Sequence, residues 1–192
     1  VYKEAKSLVR NGYDASVICW GNWRKDVPSY EEYEEIKIYR VCRSIPHYTM
    51  PLLGRLLFYL VYVYKSLRKA LKLRADIIHC HDLDTLIIGV VLKLLTRKPL
   101  IFDAHEDFPA TLEGLHSRWI ARLARLYEKI LIRFADKVIA AELLYTEAMK
   151  KYYGVSPAVI MNFPTLDSFN PSVDASSIIK EYELEGKVVI SQ

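Results

Sequence analysis

Two runs set the pattern of apolar and polar positions along this chain. Asp76-Ile-Ile-His-Cys-His-Asp82 and Pro99-Leu-Ile-Phe-Asp-Ala-His-Glu-Asp107 are each a short apolar stretch that ends abruptly in His and carboxylate residues. A buried parallel strand reads this way when its carboxyl end opens onto a site. Between them Leu86, Ile87, Val90, Val91, Leu94 and Leu95 recur at spacings of three and four, which predicts an amphipathic helix over 84–98. Strand, helix and strand make a βαβ unit. In a doubly wound sheet ligands bind beyond the carboxyl ends of the strands, so the polar groups at 79–82 and 103–107 mark where a site should lie.

The remaining segments extend this plan. Residues 1–10 carry Ala5, Leu8 and Val9 on one helical face, with Asn11-Gly12 as the stop, and 15–20 runs as a strand. A helix with no strand before it is an odd start for an α/β domain, so a strand and its turn are expected to precede Val1. Residues 21–35 are polar and aromatic loop, and 36–43 alternates as a strand toward a sheet edge. Residues 115–136 predict one long helix with Ile120, Leu123, Leu126, Tyr127, Ile130, Leu131 and Phe134 on its buried side and its basic residues on a solvated face. A strand at 137–141, a helix over 142–153 stopped by Gly154, and a strand at 158–161 follow. Two prolines then mark a connector, with a short helix near 174–183 and a new strand from Lys187. The expected organisation is a Rossmann-like domain over 1–162, a connector and helix over 163–186, and the start of a truncated second domain at 187–192.

Residues 50–73 are densely apolar, and Leu56–Tyr64 is unbroken between Arg55 and Lys65. This falls short of the roughly 20 residues that cross a bilayer. Either a helix packs an aromatic-rich face on the sheet, or it lies in a membrane interface with Tyr59, Tyr62 and Tyr64 near the headgroups. In the second case the basic run at 65–74 would face anionic lipid.

Composition narrows the class. The 192 residues, 52 % hydrophobic and 26 % charged, suit a globular domain with its own core. A net charge of +4 is too small to argue for nucleic acid, and no nucleic-acid partner is expected. Cys19, Cys42 and Cys80 show no CxxC spacing and read as buried thiols of a reducing, cytoplasmic compartment. No signal peptide is visible. There is no GxGxxG, GxxxxGK[ST] or GxSxG motif, so dinucleotide binding, P-loop chemistry and a hydrolase elbow lack support.

The candidate chemistry therefore rests on the strand ends. His79 and His81 are two apart and share a strand face, a way to present two imidazoles to a metal, but no downstream Cys/His pair has ligand spacing. His79 reads better as a core histidine. His105, among Asp103, Glu106 and Asp107, sits where its strand should emerge and could donate to a sugar or phosphate oxygen. His81, Asp82, Glu106 and Asp107 are the substrate-binding candidates beside it.

The order of these pieces resembles the amino-terminal domain of family 4 glycosyltransferases, which have the GT-B fold of two facing Rossmann-like domains. The matching stretches are Glu4-Ala-x-x-Leu-Val-x-x-Gly12-Tyr-x-x-Ser-Val, 75–82, 98–106, Ala135-Asp-Lys-Val-Ile-Ala140 and Val159-Ile-Met-Asn-Phe-Pro164. Two features depart from the family: the Gly-rich turn after a first strand is missing, and Asn162-Phe163 stands where many relatives have Asn-Gly. The resemblance implies a hexosyltransferase type of enzyme that uses a nucleotide-sugar donor, retains anomeric configuration and needs no metal or other cofactor. This chain would be the acceptor-side half, inactive alone, with a glycan or lipid-linked acceptor, as in polysaccharide biosynthesis. Its location would be cytoplasmic, peripheral on the inner face of the membrane if 50–74 touches lipid. The family histidine maps onto His105, where it would contact the donor sugar. Two other classes stay open: a non-catalytic α/β module that docks on a membrane or partner, and a metal-dependent hydrolase using His79, His81 and Asp82.

Overall fold

A computed structural model describes residues 1–21, 27–42, 51–115, 118–163, 174 and 176–187. The chain divides into two compact units, Val1–Met161 and Asn162–Gln192.

In the first unit α1 (Tyr2–Arg10) ends at Asn11, whose side chain bonds the Ser7 carbonyl, and Gly12 takes φ +83°. β1 (Ser16–Trp20) follows and pairs in parallel with β3 (Ile36–Cys42), Val17 opposite Ile38. Within the stretch expected to be loop, β2 (Tyr30–Tyr33) pairs antiparallel with β3 and takes the outer place, leaving β3 in the middle of this sheet. The two-residue hairpin loop is Glu34-Glu35, both at positive φ. Such loops usually carry Asn-Gly, so the sequence holds no turn signal there. Instead the Glu34 carboxylate is gripped by α1, through the Tyr2 hydroxyl and through Lys6 Nζ at 2.9 Å.

α2 (Leu52–Leu73) leads to β4 (Ile78–His81), α3 (Asp82–Thr96) and β5 (Leu100–Ala104), the βαβ unit read from the sequence. The predicted 115–136 helix is α5 (Arg118–Leu131) followed by a 3-10 turn at Ile132–Phe134, with a separate α4 (Phe108–Leu115) before it. β6 (Lys137–Ala140), α6 (Leu143–Tyr153) and β7 (Ala158–Val159) complete the unit. β4, β5, β6 and β7 form a wholly parallel sheet in that order. Arg43 and Met50, most of the predicted connector, and residues 188–192 lie outside the described residues.

The two sheets meet through side chains. Among the described residues no strand pairs with β1 or β4 on their second edges, which is where the order 3-2-1-4-5-6 puts a first strand. Trp20 stacks on Tyr62 and Phe58 of α2, with ring centroids 4.0 and 5.2 Å away, and Tyr62, Cys42, Ile88 and Leu92 are buried together. Val17 and Trp20, an odd number of residues apart, point to opposite faces, and Val17 packs with Ala5 and Ile36 under α1. Helices thus cover both faces of the first sheet. The main core gathers Leu86 and Val90 of α3 with Leu100, Phe102, Val138 and Met149.

Not every apolar stripe is buried. On α5, Leu123, Leu126 and Ile130 were expected inside, yet each is at least 50 % exposed, as is Trp119. The helix turns its opposite side, with Ala121, Glu128 and Leu131, to the interior.

Asn162–Gln192 is a separate unit whose described residues include α7 (Ser176–Glu181), with Asp174 Oδ1 accepting the Ser176 N–H at 2.9 Å.

Candidate functional site: imidazoles around one buried carboxylate

The register puts His79 opposite Ile101 and His81 opposite Asp103. Alternation then sends His79, His81 and Asp103 to the same face of the sheet. There the Asp103 carboxylate, nearly fully buried, is ringed by three imidazoles. Its Oδ2 lies 3.5 Å from His79 Nε2, 3.3 Å from His81 Nδ1 and 3.4 Å from His105 Nε2. His79 and His81 stack with centroids 4.5 Å apart, and His81 Nδ1 is 3.2 Å from His105 Nε2. Burial alone would raise the Asp103 carboxyl. The hydrogen bonds from His79 and His81, and the nearby His105, outweigh it and hold Asp103 well below the usual carboxylate range.

Asp82 opens α3 at φ +61°, a conformation that Asp tolerates better than most residues. Its carboxylate does not enter the imidazole cluster; Oδ1 accepts the backbone N–H of His105 at 3.0 Å. Thr85 returns a hydroxyl to the His81 carbonyl. Two strand ends are thereby tied at the residues expected to carry chemistry.

Asp107 sits at the start of α4, where Oδ1 accepts the Ala110 N–H at 3.1 Å, the work of an N-cap. The same carboxylate faces Arg125 at 3.2 and 3.3 Å. Glu106 is exposed on the loop between β5 and α4, and its carbonyl accepts the Phe108 N–H.

One residue that the sequence did not single out joins the site. Glu4 Oε2, from the first turn of α1, is buried and lies 3.6 Å from His81 Nε2. Glu4, His81, Asp103 and His105 each bring one donor atom within 4.8 Å of the others. Among the described residues this is the group able to hold a metal, rather than the trio His79, His81 and Asp82. Asp103 was legible from strand parity with His81. Glu4 had no signal, because only the packing of α1 against the strand ends brings it there.

The sulfurs lie apart from this chemistry. Cys42 and Cys80 are buried and Cys19 is half-buried, and burial pushes the Cys80 thiol up to about 11.

Comparison with known proteins agrees with this architecture. The sequence profile of Glycosyltransferase Family 4 matches residues 1–165. The uncharacterized glycosyltransferase MJ1607 of Methanocaldococcus jannaschii is 32 % identical over 117 residues, which are 59 % of this chain and 27 % of that protein. Sucrose-phosphate synthase from Thermosynechococcus elongatus superposes with a TM-score of 0.73 at 15 % identity, over 93 % of this chain and 45 % of its own. Anabaena HepE, solved in complex with UDP-glucose, gives 0.53 at 20 % identity, over 80 % of this chain and 38 % of its own. The chain therefore spans less than half the length of these relatives. The fold is the Rossmann-like α/β domain of GT-B enzymes, and the chain belongs to glycosyltransferase family 4.

Proposed function

We propose that this chain is the acceptor-side half of a retaining hexosyltransferase that takes its sugar from a nucleotide-sugar donor. The observation that carries the proposal is the placement of His105. Its imidazole stands at the carboxyl end of β5 against Asp103, and its backbone is pinned by Asp82. Transfer with retention builds positive charge on the donor ring while the phosphate leaves. An imidazole fixed at the strand end can hydrogen-bond the sugar and orient it toward the acceptor. HepE has been solved with UDP-glucose, which supports a donor of that class here. The nucleotide pocket of such an enzyme then belongs to the facing domain.

A lipid-linked or polysaccharide acceptor fits the outer surface. α2 and α5 stand near each other, since the Tyr59 and Tyr127 hydroxyls interact. Leu53, Leu57, Leu60 and Tyr64 of α2 are between 52 % and 67 % exposed, and Trp119, Leu123, Leu126 and Ile130 of α5 are exposed to a similar degree. The charges flanking these stripes are basic: Lys65, Arg68 and Lys72 on α2, Arg118, Arg122 and Lys129 on α5. An apolar face with a cationic rim suits an anionic membrane surface, and no helix among the described residues is long and apolar enough to cross one. This supports a peripheral location on the inner face of the membrane.

The test is turnover of the full-length protein with His105→Ala. The expected result is a fall in kcat/KM of about 10²-fold or more, near 2.7 kcal/mol, with little change in the melting temperature. Turnover close to wild type would reduce His105 to a loop residue and remove the support for the proposal.

A further inference from the structure

The three atoms closest to one another in the site are His81 Nδ1, Asp103 Oδ2 and His105 Nε2, separated by 3.2, 3.3 and 3.4 Å. A tetrahedron built on metal–ligand bonds of about 2.1 Å has edges of about 3.4 Å, so these atoms already span one face of it. Glu4, from a different element, supplies a donor atom within 4.8 Å of one from each of these three residues, its oxygen lying 3.6 Å from His81 Nε2. We infer that Glu4, His81, Asp103 and His105 form a binding site for one divalent transition-metal ion of the zinc type.

The donor set selects the ion. Two imidazole nitrogens with two carboxylate oxygens suit zinc, cobalt or nickel, whereas magnesium and calcium favour all-oxygen shells. The surroundings are those of supported ligands. His79 stacks on His81 and turns a buried Nε2 toward Asp103 Oδ2, 3.5 Å away. Asp82 fixes the His105 backbone. Outer contacts of this kind orient metal ligands.

Two consequences follow. An ion held here clamps α1 to the ends of β4 and β5 and stabilises the fold. It also occupies His105 Nε2. Metal capture is independent of the transferase proposal, but if that proposal holds, zinc inhibits transfer by withdrawing the imidazole from the donor.

The test is a titration of the full 192-residue chain, stripped by chelator, with zinc chloride and with cobalt chloride. One equivalent of zinc should bind and raise the melting temperature, as mass action on the folded state requires. Cobalt should give the intense visible bands of a tetrahedral site. Magnesium should leave the melt unchanged. Glu4→Gln, on a surface helix and expected to fold, should weaken zinc binding by about tenfold or more, and His81→Gln by at least as much, with circular dichroism confirming a folded chain. The inference is overturned by absent or non-stoichiometric uptake, by an equal response to magnesium, or by unchanged affinity in both variants. Affinity unchanged in Glu4→Gln alone overturns the clamp on α1. These readouts need no transferase activity, so failure here and failure of the His105 turnover test are told apart.

Discussion

The Asp82 carboxylate accepts the backbone N–H of His105 at 3.0 Å, so the residue that opens α3 fixes the residue that ends β5. This link predicts an order among substitutions. Asp82→Asn keeps an acceptor and tolerates the left-handed backbone, and should melt close to wild type. Asp82→Ala loses the bond and strains a φ of +61°, at a cost of about 1–3 kcal/mol. Chemical denaturation of both variants checks it; equal stability would show that the bond carries no weight.

Gly89 of α3 faces Cys80 and Leu100. A Cβ there would stand 2.4 Å from the Cys80 sulfur and 2.6 Å from Leu100 Cδ1, both within the main core. Helix propensity favours Ala by about 1 kcal/mol, but forcing atoms into a packed core costs about 1–3 kcal/mol. Gly89→Ala should therefore destabilise, read as a lower melting temperature. A rise would mean that the sulfur yields freely.

Glu128 is buried on α5, where Oε1 accepts the Tyr145 hydroxyl and Oε2 the Tyr153 hydroxyl, both at 2.5 Å. Burial raises its carboxyl, and the two tyrosines only partly offset this. A raised folded value means that its contribution is whole below about pH 4.3, the unfolded value, and is lost as pH rises through the folded one. Glu128→Gln removes that titration. Its melting temperature relative to wild type should therefore improve between pH 4 and pH 7. A difference that stays flat, or moves the other way, contradicts the assignment.

The exposed faces of α2 and α5 predict salt-sensitive binding to vesicles containing phosphatidylglycerol, each basic residue near the surface contributing about 1 kcal/mol. Arg68→Glu with Lys72→Glu should cut recovery by flotation at low salt. No recovery of the wild-type chain at low salt would leave these stripes without a lipid role.

Where the sequence spoke, it did so through burial. The strands at 78–81 and 100–104, and α3 between them, were legible because parallel strands buried on both faces read as apolar runs. β2 was not, because Tyr30-Glu-Glu-Tyr33 is a charged edge strand, with Glu31 paired to Arg40 of β3, and its Glu-Glu turn is held by Tyr2 and Lys6. The stripe on α5 was visible but its direction was not: amphipathicity says that one face is apolar, not that something covers it. In the site, His81 and His105 were placed by their strand ends. Asp107, a substrate-binding candidate, also carried a cap signal, an Asp just ahead of Phe108-Pro109. Glu4 entered only through tertiary packing.

The parallel ladder stops at β1 and resumes at β4, and between them the hydrophobic contact runs through Trp20, Phe58 and Tyr62. Backbone cooperativity ends where a ladder ends, so the two sheets are separate protection units joined by an aromatic stack. In native-state hydrogen exchange the amides of β1 and β3 should open together, at a lower free energy than those of β5 and β6. Trp20→Ala should widen that gap, uncoupling the folding of the first sheet from that of the half that bears the imidazoles.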